Sequence, residues 1–482
     1  MAGARPAAAA ARSRSRRERG EGSDGLMAWV SGQHGSSGDE AGGGLVAGDA
    51  FSRDVVLGSR VKPCSPFNSP EGHGSRQQYP CHGFAACVAR GLLTRIGMSA
   101  TTEFRDCLSC AILPGGNAPA GRGTGCMADT EAGAEAGPIT ADFVMPPAPS
   151  IPPEQALWLL RRHYGLQGRA RPLDSERDRI FHIMAEDGQN CLLRLANPAE
   201  TAEVSNLQTA VLAHIATRAP GLPVQRILPA LSGRLEEPVD YGAGRMGIAR
   251  LLTFLPGRPL RDGPIDSAQR HAVGGVTARL ALAMRDFHHP AAGHALYWDI
   301  QHLLRLRGLV PWIGDAPGRE LALRVLEDFA TRVQPELATL RAQVLHDDLH
   351  PGNILVDPAE PTRITGLLDF GDTVHTALVN DLAVAANHHV ALDGHPLAGV
   401  AGIVGAYHAV LPLEAREVAL LPRLIAARLL IGVLVRSWQA RETPGAVPPP
   451  VFARAALERL VAVPLDEARA PLFRACGMEI PT

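Results

Sequence analysis

Between residues 344 and 372 the chain alternates short apolar runs with turns dense in carboxylates, a pattern that few folds accommodate. Val344-Leu345 leads into His346-Asp347-Asp348-Leu349-His350-Pro351-Gly352-Asn353. Ile354-Leu355-Val356 follows, and a further run, Ile364 to Leu368, ends in Asp369-Phe370-Gly371-Asp372. The apolar runs have strand length, so the turns stand at strand ends. Asp348 and Asn353 are five positions apart, the spacing of base and metal ligand in a phosphoryl-transfer loop. Asp369 can then present a carboxylate to a second face of the same ion. Mg2+ takes hard oxygen ligands, typically one or two carboxylates plus nucleotide phosphates. The spacing therefore predicts Asp348 as the catalytic base, His346 as the brace of its loop, and Asn353 and Asp369 as metal ligands. A polar turn marked by Pro-Gly is the bland alternative, and the flanking apolar runs argue against it.

This block resembles the aminoglycoside phosphotransferase and choline kinase superfamily, with its H-x-D-x-x-x-x-N pattern followed by an I-D-F-type strand. Ser175-Glu176-Arg177-Asp178 with Ile180 to Ile183, Arg250 to Gly257, Phe287 to Pro290 and Trp298-Asp299 are similar to segments of hydroxylysine kinase-like proteins. The likeness runs from about Pro152 to the C-terminus. It implies a bilobal, protein-kinase-like α+β fold with an antiparallel-sheet N-lobe over residues 151–256. A mainly helical C-lobe, catalytic and substrate-binding, would fill 257–482. It also implies a kinase using Mg2+ and ATP or GTP to phosphorylate a small hydroxylated amine or amino acid, with 5-hydroxylysine first. An aminoglycoside, homoserine or choline kinase is the alternative, and a catalytically silent nucleotide-binding protein a third reading.

Local patterns agree with such a lobe. Pro152-Pro153-Glu154 opens a helix through His163. Ile180 to Ala185 and Cys191 to Ala196 flank Glu186-Asp187-Gly188-Gln189-Asn190 as a hairpin. Ala199 to Arg218 carries a helical apolar face, and Val224 to Leu228 and Met246 to Phe254 read as strands. Family geometry wants a cation on the third strand and a carboxylate on the next helix. The residues offered are Arg194, in place of lysine, and Glu203, with Glu200 as fallback; Arg keeps the charge but not the geometry. The loop from Ser175 to Arg179 would cover the phosphates, and Thr253 lies in the hinge that would meet the base. An exposed strand arginine and a charged surface turn are the bland readings of Arg194 and that loop.

An amine-bearing acceptor calls for carboxylates, because an unpaired buried charge is costly. Asp347, Asp372 and Asp299 are the candidates, and Trp298 offers a cation–π face, although a lone Trp is more often core. Arg305 or Arg307 is a candidate partner for a substrate carboxylate, with a solvated helix face preferred for both. In the helical part, Asp266 to Phe287 and Glu320 to Val333 are amphipathic. Ala419 to Trp438 is the most apolar stretch, but Pro422, Arg423 and Arg428 interrupt it, so a core helix is expected rather than a membrane span.

With a net charge of -2 over 482 residues, no global field recruits nucleic acid or anionic membrane. Lys62 is the single lysine. Only Cys191 and Cys476 fall after residue 127, too few for a disulfide framework, so the C-terminal part reads as cytosolic. Residues 1–126, rich in Ala, Arg, Gly and Ser, show no sustained period and are expected to be disordered. Cys107-Leu108-Ser109-Cys110 lacks a second ligand pair for zinc. Met127 is expected to be the natural start.

Overall fold

Apolar residues at every second position of the first strands build a sheet with two covered faces. The structure, a computed structural model, describes residues 146–242, 244–442 and 449–480. The expectations of a disordered extension over 1–126, of no zinc site at Cys107 and of a start at Met127 lie outside the described residues.

Helix α1 (Pro153–Tyr164) begins behind Pro152. Strands β1 (Gly168–Leu173), β2 (Arg179–Ala185) and β3 (Asn190–Leu195) form an antiparallel meander. Helix α2 (Ala202–Arg218) is capped by the Thr201 hydroxyl and precedes β4 (Ile227–Leu228), β5 (Glu237–Asp240) and β6 (Met246–Thr253). The order is β1-β2-β3-β6, with β4 and β5 sharing the outer edge of β6. Phe181, Ile183, Leu193, Leu195 and Leu251 pack with Leu159 and Leu160 of α1. Ile180, Leu192 and Leu252 belong instead with Leu207, Val211 and Ile215 of α2. Strand alternation therefore puts Arg194 on the side of Leu192. The hairpin, the helix and β6 stand where the sequence placed them. β1 was expected only as a first strand without stated residues, and β5 was not anticipated. Both are edge strands with a proline, Pro172 and Pro238, and little apolar patterning, which is the composition edges tolerate. The run from Val224 gives only a two-residue strand, because Val224 itself bridges to Leu367.

The chain crosses to the second lobe at Gly257. Its φ of 142° is open to glycine, and a Cβ there would stand 2.3 Å from Thr365 Oγ1. After β7 (Arg258–Pro259), helix α3 (Ser267–Met284) opens with a capping box between Asp266 and Gln269. A 3-10 segment, Ile300–Trp312, and helix α4 (Ala316–Asp328) lead to β8 (Ala342–Leu345), β9 (Ile354–Val356), β10 (Ile364–Leu367) and β11 (Val374–Ala377). Helices α5 (Leu378–Asn387), α6 (Ala398–Val410), α7 (Ala415–Glu442), α8 (Val451–Val461) and α9 (Leu465–Ala475) complete the chain. Two small sheets, β10-β9-β7 and β11-β8, hold the two motif turns between them. α3 lies so close to α6 that a Cβ on Gly274 would meet the Ile403 carbonyl oxygen at 2.1 Å. α7 is long and apolar enough to cross a membrane by length alone, but 83% of its most apolar window is buried inside the protein. An antiparallel-sheet lobe joined to a mainly helical lobe is the architecture expected.

Candidate active site

Both motif turns run from one small sheet to the other: residues 346–353 join β8 to β9, and 368–373 join β10 to β11, while β8 pairs with β11 and β9 with β10. His346 is fully buried and fastens one turn to the other. Its Nδ1 accepts the Asp348 N–H at 3.2 Å, so Nε2 carries the proton and donates to the Leu368 carbonyl at 2.9 Å. Burial lowers its pKa, which keeps the ring neutral. The Leu368 N–H in turn reaches the Asn353 carbonyl at 2.9 Å. Asp369 is thereby held beside the loop bearing Asp348 and Asn353. Asn353 Nδ2 donates to Asp348 Oδ2 and to the Asp348 carbonyl, both at 2.9 Å, leaving the amide oxygen as its acceptor. Asp347 and Asp369 are the non-glycine residues with positive φ among those described, at 57° and 60°. Backbone in that region concentrates at sites where the surroundings impose it.

Two of the three carboxyls nearest this turn diverge electrostatically. Burial, reinforced by the charges of Asp372 and Asp369, lifts Asp348 well above the ordinary carboxylate range against the pull of Arg428. For Asp369 burial also pushes upward, but the guanidiniums of Arg194 and Arg177 outweigh it and hold the carboxyl below its usual value. Such a division suits one group that takes a proton and one that stays charged. His350 Nε2 lies 3.8 Å from Asp348 Oδ2. Burial drives its pKa down to about 3, so no ion pair forms there. The amide oxygen of Asn353 and the carboxylate of Asp369 are the hard donor types that a cation such as Mg2+ takes. No cluster of three or more His, Cys, Asp or Glu suited to a metal exists among the described residues, so these two would share the ion with phosphate oxygens.

On the nucleotide side the pairing differs from the sequence expectation. Arg194 meets Asp178 through Nε and stands 3.4 Å from Asp369 through Nη1. Glu203 is exposed in the first turn of α2, away from this pairing. The reason is register. Arg179 pairs with Leu195, so Asp178, one residue before β2, falls beside the end of β3. Asp178 is 2% exposed and also accepts the Asn197 N–H at 3.0 Å. The fallback Glu200 accepts from Gln208 Nε2 at 3.0 Å and lies near enough for Arg194 to lower its carboxyl, although burial raises it overall. Ser175 Oγ accepts the Asp178 N–H at 3.3 Å, which shapes the loop turn. Thr253 Oγ1 accepts the Arg226 N–H at 2.9 Å, so this hinge hydroxyl is engaged within the lobe. Arg177, quoted in the sequence without a role, pairs with Asp372 and ties the loop from Ser175 down onto the second motif turn.

The four residues that the sequence offered for an acceptor separate. Asp372 is 3% exposed and holds Arg177. Asp299 is a correction: its oxygens accept the Gln301 N–H at 3.0 Å, Gln301 Nε2 and Thr376 Oγ1 at 3.2 Å, so it caps the 3-10 segment at zero exposure. A carboxylate next to a helical start is drawn into capping. Asp347 is likewise fully buried, with neither carboxylate oxygen hydrogen-bonded, while its N–H donates to Asp381 Oδ1 at 2.8 Å. Burial and the nearby Asp299 and Asp381 raise it far above its usual pKa. Trp298 is half-buried, and its ring faces are taken by arginine: Cζ of Arg428 lies 4.9 Å and Cζ of Arg436 5.6 Å from the ring centroid. Arg428 was read in the sequence only as an interruption of an apolar run; a lone charge between Ala427 and Leu429 was the available signal.

The profile of the phosphotransferase enzyme family matches residues 169–418. A hydroxylysine kinase of Danio rerio is 27% identical over 308 residues, covering 61% of this chain and 86% of that protein. A homoserine kinase of Methylobacillus flagellatus is 30% identical over 247 residues, 47% of this chain and 73% of that one. Among solved structures, an amicoumacin kinase in complex with AMP-PNP and Ca2+ superposes with a TM-score of 0.51 at 15% identity, covering 65% of this chain and 94% of that one. At that identity the likeness is one of fold.

Proposed function

The chain belongs to the phosphotransferase enzyme family, and from that membership we propose that it moves the γ-phosphoryl group of a nucleoside triphosphate to the hydroxyl of a small amine or amino acid, 5-hydroxylysine first. The observation that carries the reading is the joining of Asp348, Asn353 and Asp369 through His346 and the backbone of Leu368. Asp348 takes the proton of the acceptor hydroxyl. The hydroxyl oxygen bonds to the γ-phosphorus, and the bond from that phosphorus to the bridging oxygen breaks, releasing the diphosphate. A bound Mg2+ would neutralise charge on the phosphates, with Asn353 and Asp369 as its protein ligands. Arg194, held by Asp178, stands where it reaches toward a phosphate beside Asp369, and Ser175 shapes the loop above. Thr253 and its neighbours supply the hinge.

ATP precedes GTP as donor on the fold likeness alone, since the amicoumacin kinase is bound to AMP-PNP. 5-Hydroxylysine leads because of the Danio rerio relative, and homoserine is the runner-up because of the Methylobacillus flagellatus relative. Incubation with γ-labelled ATP or GTP and a panel of 5-hydroxylysine, homoserine, choline and kanamycin tests the reading. Labelled 5-hydroxylysine is the expected product. Label on kanamycin or choline alone would replace the acceptor, and label on nothing would overturn transfer itself.

A further inference from the structure

α7 is almost entirely apolar where it passes the site, yet Arg428 projects from it beside Asp348. The residues around it, Leu424, Ile425, Ala427, Leu429, Leu430 and Ile431, are all buried. Arg428 is 7% exposed and donates to Asp348 Oδ1 over a long 3.4 Å, while Asn353 serves the other oxygen at 2.9 Å. Its Nε is buried and has no hydrogen-bond partner among the described residues. A guanidinium offers five N–H donors in a fixed fork, and leaving them unmet in the interior is unfavourable. Arg436 comes eight residues later, just over two helical turns on, and shares the Trp298 ring with Arg428. Its Nη1 reaches Glu176 of the loop at 3.3 Å. Two guanidiniums therefore gather about one indole beside Asp348, and that of Arg428 keeps a buried N–H without a partner among the described residues.

We propose that Arg428, backed by Trp298 and Arg436, binds a carboxylate of the acceptor, and so selects a hydroxy-amino acid over amino alcohols and polyamine sugars. The inference rests on the reading of the protein as a kinase and deepens it by naming the acceptor class. Arg and carboxylate can meet as two parallel charge-assisted hydrogen bonds, one of which would satisfy the unpaired Nε–H. The stacked indole holds the guanidinium plane in place and excludes water on that side. An acceptor that set an ammonium group, rather than a carboxylate, against Arg428 would be disfavoured. The rival anion is a phosphate of the donor nucleotide.

The test compares matched acceptors that differ only in the carboxylate: 5-hydroxylysine against 1,5-diaminopentan-2-ol, and homoserine against 3-aminopropan-1-ol. A charge-assisted contact of about 1.5–3 kcal/mol corresponds to roughly 10- to 150-fold in kcat/KM favouring the amino acid of a pair. In Arg428→Gln that ratio falls at least tenfold, and Arg428→Lys restores part of it. Should Arg428→Gln fail to fold, Arg428→Lys takes its place: a ratio below the wild type is expected, and an unmoved ratio overturns the assignment. Preference for homoserine would displace 5-hydroxylysine while leaving the carboxylate assignment standing. Equal turnover within each pair overturns the assignment and leaves the kinase reading intact. So does an Arg428→Gln loss shared equally by both members, or a raised nucleotide KM with the ratio unmoved. Transfer to no hydroxy-amino acid overturns it as well.

Discussion

In the transfer proposed above Asp348 is the base, and its surroundings set how it responds to pH. Its partners are Asn353 at one oxygen and Arg428 at the other. Asp348→Asn keeps the shape and removes the basicity, so kcat is expected to fall by about 10²–10⁴-fold while nucleotide binding persists. Rapid-quench turnover alongside equilibrium nucleotide titration measures the two separately; undiminished kcat would disqualify the residue as base. The pH profile follows from the raised pKa. The base works when deprotonated, and burial with Asp372 and Asp369 lifts its titration, so activity rises with pH through an acid limb above the usual 3.8. An acid limb at or below that value would contradict the buried environment. Arg194 shows what residue type leaves open. A cation on β3 was legible, but its partner depended on strand register, and Asp178 rather than Glu203 stands next to it.

At the scale of elements, the helical lobe is set by how tightly α3 packs against α6. Gly274 marks the tightest approach, with the Ile403 carbonyl 2.1 Å from where a Cβ would lie. Gly274→Ala gains helix propensity but must part the helices, and overpacking of this kind is expected to cost about 1–3 kcal/mol. Urea unfolding of the variant measures it, and a midpoint equal to or above the wild type would show that the pair separates freely. The main strands and helices were legible because their apolar periods of 2 and 3.6 are written locally. β1, β5 and the shortness of β4 were not, since edge strands draw their order from a neighbour already in place.

Across the whole molecule, the buried acids behind the motif turns couple stability to pH. Burial lifts the Asp381 carboxyl to about 6 from the usual 3.8, although the Asp347 N–H pulls the other way. A pKa raised on folding means that the native state holds the proton more tightly. That stabilisation is complete below 3.8 and is lost as pH rises through about 6. Asp381→Asn keeps an acceptor for the Asp347 N–H and cannot titrate. The melting temperature of the wild type, taken relative to this variant, should therefore decline across that interval. A difference that stays flat with pH would show that Asp381 does not titrate on unfolding.

Sequence alone determined the two turns, their strand-bounded spacing and the residue types within them, because these rest on contacts between near neighbours in the chain. The same short-range logic placed Asp348, Asn353 and Asp369 together as candidates. Tertiary structure decided which charges meet. Arg428 reaches Asp348 across 80 positions and Arg177 reaches Asp372 across 195. Asp299 turns to its own helical start, and Asp347 is sealed off with its oxygens unbonded. Electrostatic strength depends on burial and on distances between remote segments, and neither is defined until the helices and sheet have packed.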